Sequence, residues 1–223
     1  MIIAVDGPVA AGKGTLARRL AAALDYAYLD TGSIYRAVAA KILAAGGDPE
    51  NPETAAVAAR ALQPIDLQRD DLRLESVSQA ASKVAAIPAV RDALLAFQRG
   101  FAECPPDGPE GPRDGAVLDG RDIGTVVCPK ADVKFFLTAS VEARASRRHK
   151  ELIERGEESI YARVLQDLRE RDARDSGRAT APLKAAEDAV RLDTSDMDAD
   201  QAFEVAMAEI ARRHDQERFQ ENQ

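Results

Sequence analysis

At 223 residues, with 45% hydrophobic content and a formal net charge of −8, the chain has the size and composition of one α/β domain. Its acidity argues against nonspecific nucleic-acid binding, and no apolar run approaches the ~20 residues of a membrane span. The first apolar run starts at Met1 and leaves no room for a signal peptide, so a cytoplasmic protein is expected. Two cysteines, Cys104 and Cys128, show no metal or redox spacing and read as reduced, incidental thiols. His149 and His214 lie in charged helical stretches and are expected to face water.

Met1–Val5 reads as a buried parallel strand ending at Asp6. From Gly14 onward, Leu16, Leu20 and Leu24 read as a helix. Between them runs Gly7-Pro8-Val9-Ala10-Ala11-Gly12-Lys13-Gly14-Thr15. Glycines bring backbone N–H groups close to a ligand, and a helix N-terminus adds unpaired donors and a positive dipole end. The loop is therefore an anion cradle, with Lys13 reaching the β/γ-phosphates of a nucleoside triphosphate and Thr15 offering a hydroxyl to Mg2+. Gly14 stands where the general G-x-x-x-x-G-K-[ST] pattern has Ser or Thr. The form G-x-x-x-x-G-K-G-T resembles the loop of nucleoside monophosphate kinases.

Further along, "AYLD" (27–30) is a second strand, and Thr31 is placed to cap a helix over about 32–45. A helix over 52–62, an irregular polar stretch over 63–75, and helices over 76–86 and 89–102 follow. "ECPPDGPEGPRDG" is a loop. "AVLD" (116–119) and "DVKFFLT" (132–138) are buried strands, and helices over 140–155 and 159–175 flank Gly156. "AVRLDT" (189–194) is the last strand. Asp198 starts a final helix with Gln201 as its capping-box partner, and "HDQERFQENQ" is expected to fray. Alternation of strands and helices predicts a doubly wound parallel sheet of about five strands with helices on both faces. Ligands then bind at the carboxyl ends of the strands.

Asp119 ends a buried strand, where P-loop enzymes place the carboxylate that supports Mg2+ and its waters. Arg121 and Asp122 follow it into the crevice. In "YARVLQDLRERDARDSGR", Tyr161, Val164, Leu165 and Leu168 form one apolar helix face. The same face continues through Arg171, Asp172 and Asp175, with Arg178 just beyond. A core-facing stripe that turns charged is expected where a helix runs into a cleft holding an anion; Arg169 and Glu170 lie off it and fit a solvated helix end. Arg36 sits one turn into a helix that starts at a strand end. Arg147 and Arg148 precede the Gly156 break, either as arginines able to close over phosphates or as a plain basic surface.

Together "DGPVAAGKGTLA", "YLDTGSIYRAVA", "ASKVAAIPAVRDALL", "LDGRDIGTVV" and "RERDARDSGRATAPL" resemble the bacterial cytidylate kinases, in order and over nearly the whole chain. The resemblance implies a P-loop NTPase fold in a single kinase domain over 1–223. Its core is 1–35, 115–145 and 160–215, its NMP-binding region about 36–102, and its short lid about 147–158. It also implies transfer of phosphate from ATP to CMP or dCMP with Mg2+. Gly7 to Thr15 would hold ATP, and Thr31, Arg36, Arg121, Arg171 and Arg178 would surround the acceptor phosphate. Asp175 would touch the ribose, Ser82, Arg91 and Asp122 would read cytosine, and Arg147 would be the lid arginine. Lys13, Arg147 and Arg171 would carry the catalysis. The nucleotides would be the only partners, with no nucleic acid and no membrane, and the protein would be a monomer. Family members often carry a β-rich insertion in the NMP-binding region; the span before "ASKVA" is short here, so some of those strands are expected to be absent. A P-loop kinase for another small acceptor is the alternative enzyme reading, which a panel of acceptors separates. A nucleotide-driven switch lacks its usual N-K-x-D motif, because Asn51 and Asn222 are the only asparagines and neither fits.

Overall fold

The computed structural model describes residues 1–221; Asn222 and Gln223 lie outside them. In chain order the elements are β1 (Ile2–Asp6), α1 (Lys13–Leu24), β2 (Ala27–Asp30), α2 (Thr31–Ala44), α3 (Pro52–Arg60), α4 (Glu75–Val84), α5 (Pro88–Glu103), β3 (Ala116–Gly120), β4 (Val133–Thr138), α6 (Val141–Glu154), α7 (Tyr161–Gly177), β5 (Val190–Asp193) and α8 (Ala199–Glu221). The strands form one parallel sheet in the order β2-β3-β1-β4-β5.

Short apolar strands buried on both faces suit a parallel sheet, whose crossovers are helices that cover it. On one face, Ile34, Val38 and Ile42 of α2 pack with Val84 of α4 and Val90 and Leu94 of α5. On the other, Leu16 and Leu20 of α1 and Ala206 and Ile210 of α8 pack on Val5, Phe135 and Leu137. The α6–α7 hairpin has its own small core of Ala145, Leu152, Val164 and Leu168, joined by Val9 of the phosphate loop. The register pairs Asp6 with Gly120 and Asp30 with Asp119. Three strands therefore deliver polar residues to one edge of the sheet, directly above the loop.

Several boundaries differ from the expected ones. Asp30, rather than Thr31, caps α2, its carboxylate accepting from the Ser33 N–H at 3.1 Å. The segment 63–75 consists of two 3-10 turns, Pro64–Gln68 and Asp70–Arg73, with no strand among these residues. The turn after β3 is a single π-helical turn, Ile123–Val127. Within the 103–115 loop Gly108 bridges Gly111, and the Met1 ammonium holds the loop's end by donating to Asp114 O at 2.8 Å. The capping box of Asp198 and Gln201 forms as expected. Beyond it α8 continues to Glu221 instead of fraying from His214, since Gln, Glu and Arg favour helix.

Candidate active site

At the end of β1 the chain turns sharply. Gly7 has φ +146°, and a Cβ there would lie 2.2 Å from Leu137 O, so only glycine fits. Gly12, at φ +90°, opens α1, and Lys13 is its first residue. Lys13 is buried, and its ammonium donates to Pro8 O at 2.7 Å. Burial, then the Arg121 charge, pushes its pKa down to about 7. Val9, Ala10, Lys13 and Gly14 face the adjoining cavity, whereas Thr15 is exposed outside its lining. The loop is braced from below by Arg144, which donates to Val9 O (3.3 Å) and Ala139 O (3.0 Å) and pairs with Asp172 at 2.5 Å. Asp172 thus belongs to this brace rather than to the anion-facing stripe.

The cavity, of about 570 Å³, lies between the strand ends, α2, α4 and the α6–α7 hairpin. Arg36, Arg121, Arg171 and Arg178 all open onto it beside Lys13. Arg36 pairs with Asp30 at 2.6 Å, and Arg121 and Arg178 share the buried Asp175, Arg121 at 3.0 Å. Burial alone would raise the Asp175 carboxyl; the Arg121, Arg178 and Arg171 charges outweigh it and hold the group below the usual carboxylate range. Arg171 is different. Among the described residues its one polar side-chain partner is the Ser78 hydroxyl, at 2.9 Å, and no carboxylate pairs with it. Burial and the Arg121 charge push Arg171 down to about 10. The Nε atoms of Arg36, Arg171 and Arg178 are buried without partners. Arg169, off the stripe, is exposed and pairs with Glu142 at 3.2 Å.

Towards α4 and α5, Arg91 and Asp122 form a buried ion pair, and the Arg91 guanidinium also donates to Ala85 O at 3.2 Å and lies over the Tyr35 ring. The Ser82 hydroxyl, on α4, is buried with no partner. All four residues that carry these unmatched groups line the cavity, whose walls are thereby rich in polar and charged groups. Thr31 lines the cavity as well, but its hydroxyl proton is committed to Asp119 O at 2.6 Å, leaving only acceptor capacity towards a ligand.

Arg147 does not reach the cavity. Its guanidinium is held by the 194–197 loop, donating to Thr194 Oγ1 (3.2 Å) and Met197 O (3.3 Å). Consecutive helix positions diverge by about 100°, and it is Arg148 that turns inward, paired with Glu75 (2.6 Å) and Glu151 (2.9 Å). Arg155, also from this hairpin, donates to Arg73 O at 3.2 Å. His149, expected in water, is half-buried, its Nδ1 meeting Ser159 Oγ at 2.7 Å. The sequence reading also passed over Tyr28, whose hydroxyl donates to Asp119 at 2.8 Å, and over any role for Asp6. The Asp6 carboxylate accepts from the Ile123 N–H (2.8 Å) and the Gly124 N–H (2.7 Å). Burial pushes its pKa up to about 7 despite those donors. Arg144 and Arg148, four residues apart on one helix, were the available signal for the hairpin's inward face. Nothing local marked Tyr28.

A metal would find few ligands in the protein itself: no group of three or more His, Cys, Asp or Glu among the described residues is placed to hold one. The Asp119 carboxylate lies against the head of α1, its Oδ2 3.2 Å from where a Cβ at Gly14 would stand, while Thr15 is exposed outside the cavity lining.

Residues 3–212 match the family model described as cytidylate kinase. A cytidylate kinase of Paramagnetospirillum magneticum is 64% identical over 209 residues, covering 94% of this chain and 97% of that protein. One from Rhodospirillum rubrum is 57% identical over 213 residues, covering 96% and 98%. Among solved structures, an uncharacterized protein from Eubacterium ventriosum shares the fold at 13% identity, with a TM-score of 0.50 over 95% of this chain and 98% of that one. No helix among the described residues is long and apolar enough to cross a membrane.

Proposed function

The chain belongs to the cytidylate kinase family, whose reaction is the phosphorylation of CMP and dCMP by ATP with release of ADP, and we propose the following division of labour among its residues. Residues 7–15 hold the ATP phosphates, with Lys13 as the charge on the β/γ side. Arg36, Arg121, Arg171 and Arg178 hold the acceptor phosphate, Asp175 the ribose, and Ser82, Arg91 and Asp122 the cytosine. Residues 36–102 form the acceptor region and 147–158 the lid, in which Arg148 takes the part first given to Arg147. Thr15 holds Mg2+ brought in with ATP; when bound, the ion neutralises charge on the phosphates.

One observation carries the reading: Lys13, buried, and Arg171, partly buried in the wall of the same cavity, have no carboxylate partner among the described residues. Two such cations in one cavity repel each other until an anion enters. The attacking atom is a phosphate oxygen, already ionised, so no general base is required and none of the histidines needs to serve. The protein has to align two anions and stabilise charge during transfer, which is positioning and electrostatics. Binding in the pocket also substitutes fixed guanidinium groups for water around the phosphates.

The protein works on free nucleotides, as a monomer, in the cytoplasm. Incubation with γ-labelled ATP and CMP tests the reading: the label is expected at the β position of CDP. Label released only as inorganic phosphate would mark a hydrolase instead.

A further inference from the structure

Asp6 closes an apolar strand, yet none of the roles above uses it. Its side chain is 4% exposed and both carboxylate oxygens are spent on backbone donors, Oδ1 on the Ile123 N–H at 2.8 Å and Oδ2 on the Gly124 N–H at 2.7 Å. Those two N–H groups open the π-turn that directly follows Arg121 and Asp122. A carboxylate that accepts two adjacent backbone N–H groups fixes the height and rotation of a turn as a single hydroxyl or amide cannot. Gly7 follows Asp6 immediately and is pinned against Leu137 O. The turn bearing Asp122 is thereby tied to the root of the phosphate loop, across the pairing of Asp6 with Gly120. Asp122 has its own constraint at the opposite end, the buried pair with Arg91.

We propose that Asp6 is a positioning residue for base selection: by anchoring the 123–124 turn it holds Asp122 and Arg121 at a set distance from the phosphate loop. The inference rests on the reading of Asp122 as a base-contacting group. ATP is held by the loop, α1 and the lid, none of which the turn carries, whereas acceptor recognition needs the turn, so loss of the anchor separates the two. Asp6→Asn keeps the shape of the side chain but offers one acceptor where two are needed, and its amide N–H2 faces a backbone donor. Gly124→Ala presses on the turn from the other side, because a Cβ there would sit 3.1 Å from Lys134 Cδ and 3.3 Å from Lys134 Cγ, close enough that Lys134 or the turn must give slightly, while Asp6 Oδ2 at 3.5 Å stays in ordinary contact.

The test is steady-state kinetics on both variants with CMP and UMP, together with the Kd for ATP by calorimetry. In Asp6→Asn, KM for CMP is expected to rise about tenfold and the CMP/UMP ratio of kcat/KM to fall about as much, the consequence of one misplaced polar contact, and Gly124→Ala shifts both in the same direction by less. The ATP Kd stays within about twofold of wild type, which a general loss of fold would not allow. Equal weakening of ATP and CMP, or an unchanged CMP/UMP ratio in both variants, overturns the proposal. Asp122→Asn, run alongside, separates the levels: if it leaves the ratio unchanged, the base-reading assignment fails. If Asp122→Asn shifts the ratio and neither anchor variant does, the role of Asp6 alone fails.

Discussion

Arg171→Met is the most informative single substitution, because stability and activity should move in opposite directions. Burial and the Arg121 charge hold Arg171 down at about 10. That fall corresponds to on the order of 3 kcal/mol of lost hydration and repulsion carried by the folded state. Methionine keeps the apolar stem and removes the charge, losing only the hydrogen bond to Ser78, worth about 1 kcal/mol. The net gain of about 2 kcal/mol should raise Tm by roughly 5 °C in a chain of this length. The acceptor phosphate, however, loses a charge-assisted contact worth about 3 kcal/mol, so kcat/KM for CMP should fall about 100-fold. Arg169→Ala is the control. Its side chain is 61% exposed and it pairs only with Glu142, so both quantities should stay near wild type. The assays are thermal melting without nucleotide and coupled ADP release with CMP varied at saturating ATP. A lowered Tm with kcat/KM intact, or equal small effects from both substitutions, would refute the argument that Arg171 waits for an anion.

Lys13→Met should abolish turnover while the protein still melts cooperatively, since a charge clamp on the transferring group contributes roughly 3 kcal/mol or more; a near-normal kcat in the variant would contradict this. Burial and the neighbouring Arg121 charge depress the Lys13 ammonium, and the triphosphate favours its charged form. Binding of ATP above neutral pH should therefore be accompanied by proton uptake rather than release, read by calorimetry in buffers of different ionisation enthalpy, with the uptake absent in Lys13→Met. Asp122→Asn should lower activity on CMP and narrow the CMP/UMP ratio by about 1–3 kcal/mol, because an amide can donate to O4 of uracil; an identical ratio would remove Asp122 from base reading. Arg148→Ala should depress kcat far more than Arg147→Ala, whose expected effect is a lower Tm through the freed 194–197 loop. The reverse order would restore the lid role to Arg147.

The phosphate loop was legible because its constraint is local: a strand, a close turn that admits only glycine, and a helix start occur in consecutive residues. The sheet was legible for a similar reason, since continuous apolar strands separated by helical periods leave a parallel arrangement as the simplest solution. The placement of Arg171 followed from helical phase alone, as it continues the line of Leu168. Phase also could have separated Arg147 from Arg148, but α6 offers few apolar positions from which to set it, and the resemblance pointed to Arg147, whose guanidinium the 194–197 loop holds. Thr31 was misread only as the cap of α2, which Asp30 supplies; the partner of its hydroxyl, Asp119 O, comes from another strand 88 residues away. Asp6 was invisible as an anchor on the same grounds: its two donors come from a turn more than a hundred residues distant, and only the sheet register brings them together. Long-range pairings of this kind carry no sequence period.

The central claim is that two nucleotide sites meet in one cavity and that the acceptor site selects cytosine. The direct measurement is coupled ADP release from ATP with CMP, dCMP, UMP, AMP and GMP compared at equal concentration. CMP and dCMP are expected to give the highest kcat/KM, UMP to fall below them by the equivalent of about 1–3 kcal/mol for one opposed acceptor pair, and the purine nucleotides to give background rates. A purine monophosphate turned over as well as CMP, or ADP release unchanged when every acceptor is left out, would contradict the account.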